Sequence, residues 1–308
     1  MKKLSVVVPC FNEQEAIPFF YQETTSVLEK IHCDHEILFV NDGSKDHSLE
    51  VIQTLAGKDP RVKYLSFSRN FGKEAAMLAG MKYATGDWVV IMDVDLQDPP
   101  ALLPEMVEAI EKEGYDSVAT RRVSRNGEPL LRSFFARIFY ILIHKLSDAD
   151  IVDGARDFRM MTRQMVNSIL ELNEYHRFSK GIFGWVGYET KWLDYENIER
   201  VVGETKWSFW KLLKYALEGI IAFTTLPLRV VSFFGLAFSG FAFLLLLVIV
   251  FRRMLFGDPV AGWASTMSVI ILVSGLQMIF LGIMGEYLAK TYMEIKGRPK
   301  YFVKKKNI

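Results

Sequence analysis

Three acidic side chains crowd into Asp93-Val94-Asp95-Leu96-Gln97-Asp98-Pro99-Pro100, directly behind the apolar run Trp88 to Met92. Carboxylates set this close repel one another unless a cation or a set of N–H donors takes up their charge. A hard divalent ion such as Mg2+ or Mn2+ does so with one or two carboxylates and leaves its other positions to phosphate oxygens and water. For Asp93 and Asp95 this points to a metal bridging the chain to a diphosphate. Asp98 reads instead as the N-cap of a helix whose first turn holds Pro99 or Pro100, a role complete without a metal. Arg69 and Lys73 stand four residues apart in a loop-to-helix stretch with Gly72 between them. They fit a clamp on diphosphate oxygens, with plain surface solvation as the alternative for each.

The elements that must carry these groups are short β-branched runs alternating with helical spacing. Leu4 to Pro9, Glu36 to Val40, Val62 to Phe67 and Trp88 to Met92 read as buried strands. Glu13 to Ile31, Asp46 to Ala56 and Gly72 to Ala84 read as the helices between them, Tyr115 to Arg122 as a further strand, and Arg132 to Leu146 as an amphipathic helix. That order predicts an α/β fold with a mostly parallel sheet covered by helices. Ligands of such sheets bind at the carboxyl ends of the strands. The polar clusters Asn12-Glu13, Asn41-Asp42-Gly43-Ser44 and Asp93 to Asp98 fall there.

The 308 residues carry 37 Lys+Arg against 36 Asp+Glu, so no global field marks a nucleic-acid partner. Half the residues are apolar and mean hydropathy is +0.15, yet 24% are charged, which suggests a soluble domain joined to an apolar segment. Val230 to Phe251 and Pro259 to Gly285 contain no charged residue, and each is long enough to cross a hydrocarbon core of about 30 Å as a helix. A buried soluble hairpin is the alternative. Trp207 to Phe223 places Lys211, Lys214 and Glu218 on one helical face, the pattern of an interfacial helix or of a buried amphipathic one. Basic residues cluster before the first span and after the second, which predicts that both termini and the catalytic domain are cytoplasmic. The two cysteines, Cys10 and Cys33, make neither a disulfide framework nor a Cys-rich metal site, and Leu4 to Val8 is too short for a signal-peptide core. The expected organisation is a catalytic domain over 1–205, interfacial helices over 206–228, two spans over 229–290 and a basic tail over 291–308.

Several motifs occur together in a fixed order: Ser5 to Glu13 (SVVVPCFNE), Val40-Asn41-Asp42-Gly43-Ser44, Ser68-Arg69-Asn70-Phe71-Gly72-Lys73, Asp93 to Pro100, and Arg156-Asp157-Phe158-Arg159. Gly203 to Ser208 (GETKWS), the two spans and Arg298-Pro299-Lys300-Tyr301 continue the series. The chain thereby resembles family-2 glycosyltransferases of the GT-A fold, and among them the bacterial polyprenyl-phosphate glycosyltransferases. The resemblance implies that Pro9, Phe11, Glu13 and Asp42 hold the base and ribose of the donor nucleotide, Phe11 standing where relatives often have Tyr. Helix capping at strand-to-helix turns is the alternative for Glu13 and Asp42. Asp93 matches a donor-contacting carboxylate, Asp95 and Gln97 the metal ligands, and Arg122, Arg132 and Arg159 the acceptor-phosphate cradle. Ala136 stands where relatives often place a Ser. Lys206 matches a basic position near the membrane face, where attraction to anionic lipid would serve equally.

The activity implied by the resemblance is inverting transfer of a sugar from a UDP-sugar, glucose or N-acetylglucosamine, to undecaprenyl phosphate at the bacterial inner membrane, for use in cell-envelope glycans. Relatives form tetramers, so the resemblance implies the same here. Asp157 matches a position often assigned as base. Because a phosphate monoester has a second pKa of about 6, it needs little deprotonation, and Asp157 is expected to orient Arg159 or the phosphate as much as to take a proton. Leaving-group charge is expected to fall on a metal at Asp95 and Gln97, with Arg69 and Lys73. Glu174 to Gly181 is polar enough to line the sugar pocket, His176 serving either there or as a solvated loop residue. A processive polysaccharide synthase would share the donor site, but its Gln-X-X-Arg-Trp motif is absent. A non-catalytic nucleotide-sugar sensor would share the fold alone.

Overall fold

Leu4, Val6, Val7 and Val8 are completely buried, as only a strand covered on both faces allows, and they lie in the central strand β1 (Lys3–Cys10). The computed structural model describes residues 2–122, 152, 154–196, 226–256 and 262–308. β1 pairs in parallel with β2 (Asp34–Asn41) from Lys3↔Asp34 to Cys10↔Asn41, and with β4 (Trp88–Ile91) from Leu4↔Trp88 to Val7↔Ile91. Pro9 lies past the last β1–β4 pair, so its missing N–H leaves no gap in that ladder. β3 (Val62–Phe67) extends the parallel set beyond β2, and the full order is β7-β5-β6-β4-β1-β2-β3-β8.

Alternation divides the apolar strand residues between two layers. Val6, Val8, Ile37, Phe39 and Val90 pack with Ile17 and Phe20 of α1 (Ala16–Leu28), Ile52 of α2 (Ser48–Lys58), and Met106 and Ile110 of α4 (Leu103–Glu111). Opposite them lies α3 (Lys73–Tyr83), buried from Ala75 to Met81. Gly80 lets α3 approach β1, because a Cβ there would stand 2.1 Å from Val7 Cγ1. This close seating fixes the N-terminal residue of α3, Lys73, over the carboxyl ends of the strands.

β6 (Ala155–Thr162) runs against its neighbours, pairing antiparallel with β4 and with β5 (Ser117–Arg122). Its first residues therefore share the rim where β1, β2 and β4 end. Its register with β4 runs from Trp88↔Thr162 to Ile91↔Arg159, and extended by two residues it sets Asp93 opposite Asp157. β7 (Thr190–Tyr195) closes this side of the sheet, behind the short helices α5 (Arg163–Glu171) and α6 (Ser179–Trp185).

The C-terminal residues depart from the expected tail: Val303–Lys306 form strand β8, antiparallel to β3 at the sheet edge. Three exposed lysines in four residues hide the strand from a hydropathy reading, yet lysine suits an edge that must not pair further. Asn307 secures it, accepting from the Tyr64 N–H at 2.6 Å and donating to the Val62 carbonyl at 3.2 Å. Met1–Gly219 and Arg298–Ile308 make one compact unit, and Ile220–Gly297 a second.

The second unit holds two helices, α7 (Leu226–Phe256) and α8 (Trp263–Ile295). Two membrane-crossing helices were expected. Among the described residues one helix is long and apolar enough, over Val269–Ile295, and Val230–Leu245 is a shorter apolar helix. The expected interfacial helix at Trp207 to Phe223 and the helix from Arg132 to Leu146 lie outside the described residues.

Candidate active site

The rim site is built from four strand ends. After β4 the chain alternates: Val94, Leu96 and Asp98 turn inward, whereas Asp93, Asp95 and Gln97 are partly exposed. Leu96 adopts a left-handed backbone, φ 55°, unfavourable for a branched residue and offset here by burial of its side chain. The kink keeps Asp95 and Gln97 on the open side, with the Gln97 N–H donating to Asp95 Oδ1 at 3.2 Å. A carboxylate and a carboxamide oxygen are hard donors that suit Mg2+ or Mn2+ with phosphate oxygens completing the shell. Among the described residues no group of three His, Cys, Asp or Glu is arranged to hold a metal unaided.

Lys73 does not stand free as a phosphate clamp. Its Nζ lies 2.5 Å from Asp157 Oδ2 and 2.7 Å from Asp93 Oδ1, which ties α3 to β6 and to the β4 end. Burial works against the Lys73 charge, but Asp157 and Asp93 outweigh it and hold the ammonium protonated well above its usual range. Burial likewise works against the Asp157 carboxylate, and Lys73 and then Lys180 overcome it, holding that group well below the carboxylate range. Lys180, from α6, donates to the Ala155 carbonyl at 2.8 Å. It falls in the Glu174 to Gly181 segment, but nothing in its spacing singles it out.

Asp98 is no helix cap. The 3-10 turn Pro100–Leu102 has Pro99 at its N-cap and no side-chain cap. Asp98 is fully buried, accepts from Tyr195 Oη at 2.7 Å, and pairs with Arg156 Nε at 3.2 Å. Burial raises its pKa despite Arg156. Lys73, Arg156 and Lys180 thus balance Asp93, Asp98 and Asp157.

Arg159 donates no hydrogen bond to Asp157, whose charge still acts on it. It is 5% exposed, its guanidinium set between the rings of Phe183 at 4.8 Å and Trp192 at 5.4 Å, with Nη1 reaching Ser117 Oγ at 3.3 Å. Period two sets Arg159 on the same face as Asp157, but two residues further from the rim, where Phe183 and Trp192 cover it. Burial lowers its pKa to about 10, so it stays charged at neutral pH.

On the donor side, Pro9 is buried while Phe11 and Glu13 are half-buried at the end of β1. Asp42 is 3% exposed, and its oxygens accept from the Phe71 N–H at 2.6 Å and the Gly72 N–H at 2.9 Å. It therefore anchors the loop that leads into α3 and does not cap α2. Gly43, φ +66°, lies under the same loop, where a Cβ would meet the Arg69 carbonyl carbon at 2.3 Å. Arg69 is exposed, its guanidinium 4.0 Å over the Phe71 ring. Glu74 accepts from both the backbone N–H and the hydroxyl of Ser179, tying α3 to α6, and burial pushes its pKa up to about 7. His176 is exposed, edge-on to Tyr175. Arg122 ends β5, whereas Arg132, Ala136 and Lys206 lie outside the described residues.

The pattern of glycosyl transferase family 2 matches residues 5–170. The SfII prophage-derived bactoprenol glucosyl transferase of Shigella flexneri is 44% identical over 303 residues, covering 98% of each chain. A prophage bactoprenol glucosyl transferase homolog of Escherichia coli K12 is 43% identical over 303 residues, covering 98% of this chain and 99% of that one. The provisionally named glycosyltransferase CsbB of Bacillus subtilis is 42% identical over 311 residues, covering 99% and 92%.

Proposed function

The chain belongs to glycosyl transferase family 2, and from that premise we propose that it transfers glucose from UDP-glucose to a polyprenyl phosphate such as undecaprenyl phosphate, with inversion. The observation that carries this reading is the charge-balanced rim cluster in which Lys73 joins Asp93 and Asp157, beside the open-side pair Asp95 and Gln97. The end-to-end similarity to bactoprenol glucosyl transferases favours glucose over N-acetylglucosamine and a polyprenyl phosphate over a soluble acceptor.

In the reaction an acceptor phosphate oxygen attacks the anomeric carbon as its bond to the diphosphate breaks. Lys73 and Lys180 hold the Asp157 carboxylate below its usual range, which weakens it as a base, and a largely dianionic phosphate hardly needs one. The work of Asp157 is to fix Lys73, whose charge faces the breaking bond together with Asp93. Arg69 reaches the diphosphate from the other side of the loop. A divalent ion held by Asp95 and Gln97 would supply charge neutralisation to the departing diphosphate. Half-buried Phe11 offers the base a ring to stack on, with Pro9 and Glu13 beside it at the nucleotide end of the site. Arg122, Arg132 and Lys206 remain the acceptor-phosphate group of this proposal.

A polyprenyl tail stays in the bilayer, so the reaction needs an anchored enzyme. The second unit supports that: Leu236, Met278 and Ile295 are 77%, 72% and 81% exposed, a burden of apolar surface that suits lipid and not water. Both helices are proposed to span, with the catalytic unit cytoplasmic.

The test is transfer of label from UDP-[14C]glucose or UDP-[14C]N-acetylglucosamine to undecaprenyl phosphate by the full chain in detergent with Mg2+. Lipid-borne label from glucose alone, lost on chelation, is expected. Label from N-acetylglucosamine alone would overturn the donor assignment, and label that ignores chelation would overturn the metal.

A further inference from the structure

The loop between β3 and α3, Ser68-Arg69-Asn70-Phe71-Gly72, carries one cation of the donor site and delivers the other at Lys73. Asp42 and Gly43 hold its underside. Its outer side is held by a segment more than 200 residues away in sequence. The Ser68 N–H donates to the Phe302 carbonyl at 3.0 Å. Tyr301 stacks on Phe67 with ring centroids 4.9 Å apart and planes within 15°. Phe302 packs on Phe71 at 6.1 Å, and Phe71 meets Phe67 edge-on at 5.8 Å. Arg69 then lies on the far side of this cluster, over Phe71.

A register shift makes the fit. β3 and β8 pair as Leu65↔Lys306 and Ser66↔Lys305, but the next pair is Phe67↔Val303, so Lys304 is left over. An extra residue in one strand bends it and re-aims the side chains that come after it along the bulge. Here it brings the Phe302 carbonyl to Ser68 and two aromatic rings to the end of β3. A strand that only closed the sheet edge would need neither ring.

We infer that Tyr301 and Phe302 are positioning residues for the donor diphosphate, holding Phe67, Phe71 and through them Arg69 in the geometry that receives the leaving group. The inference rests on the proposed UDP-glucose donor. Tyr301 stacks on Phe67, and the edge-on contact of Phe67 and the tilted contact of Phe302 fix the tilt of Phe71, on whose face the guanidinium sits, better than aliphatic packing would.

The experiment is steady-state kinetics of the full chain in detergent, with UDP-[14C]glucose and undecaprenyl phosphate, for Tyr301→Ala, Tyr301→Phe, Arg69→Ala and the Tyr301→Ala/Arg69→Ala double variant. Tyr301→Ala is expected to lower kcat/KM for the donor about tenfold, with KM for the acceptor unchanged. Tyr301→Phe, which keeps the ring, is expected to stay within about twofold of the parent. In the Arg69→Ala background the Tyr301 change is expected to add less than about twofold, since its effect passes through Arg69. If Tyr301→Ala folds poorly, Tyr301→Leu keeps the volume, loses the stack and reads the same ratio. Full additivity in the double variant, or a Tyr301→Ala or Tyr301→Leu enzyme with parental donor kinetics, would overturn the inference. A parent enzyme that transfers nothing from UDP-glucose would instead sink the donor reading itself.

Discussion

Replacing Asp157 by Asn removes one charge and keeps the shape, and so isolates what that charge does for Lys73. Breaking a fully buried ion pair costs about 3–5 kcal/mol. This pair is less closed: the Asp157 and Lys73 side chains are 19% and 41% exposed, and Asp93 stays at 2.7 Å to compensate the ammonium. Discounting for that solvent and that second carboxylate leaves about 2 kcal/mol. If the loss is felt in the transition state, where Lys73 faces departing negative charge, it corresponds to about a 30-fold fall in kcat. The assay is initial-rate label transfer from pH 6 to pH 8.5. Lys73 and Lys180 hold Asp157 ionised across that range, so its own titration does not enter. The expected result is a deficit of similar size at every pH. Full recovery at pH 8.5, where the acceptor needs no base, together with strong loss at pH 6, would refute the electrostatic role and restore Asp157 as a base.

Asp95→Ala should reduce turnover by on the order of 100-fold, since even second-shell changes at metal sites cost 10- to 100-fold; parental turnover under strict chelation would contradict this. Gly43→Ala meets both a positive φ and the Arg69 backbone, and should destabilise the catalytic unit by more than about 2 kcal/mol in a denaturant melt. Glu74 titrates at about 7 in the fold, above its usual 4.5, so between these values the folded state binds more protons than the unfolded one. Stability from this group is therefore fully present below about pH 4.5 and falls as pH rises to about 7. Glu74→Gln should flatten that decline, seen as a Tm that changes less between pH 5 and pH 8 than the parent's. Equal slopes would mean that Glu74 does not ionise there.

Much of the sheet could be read from residues because its central strands are apolar on both sides. Leu4 to Pro9 and Trp88 to Met92 needed no partner to be recognised, and the polar clusters behind them marked the rim. β6 escaped because Arg156, Asp157 and Arg159 dominate its first half, although Phe158, Met160 and Met161 complete a strand covered on both faces. β8 escaped for the opposite reason, as an edge strand made of lysines. Within the site, the period-two projection of Asp93, Asp95 and Gln97 was legible because it is local. The Lys73–Asp157 contact, 84 residues apart, was not, because it depends on β6 entering the sheet antiparallel. The same long-range placement turned Asp98 from a cap into a buried ion-pair partner and set Arg159 against Phe183 and Trp192.

The chemical identity of the product tests the proposed transfer to polyprenyl phosphate. The full chain, undecaprenyl phosphate, UDP-glucose and Mg2+ would be incubated, and the lipid fraction analysed by mass spectrometry and by NMR of the anomeric centre. The expected product is one hexose per lipid, joined through the phosphate in the β configuration, with UDP released in equal amount. A glucan of several residues, an α linkage, or UDP and free glucose with unmodified lipid would contradict it.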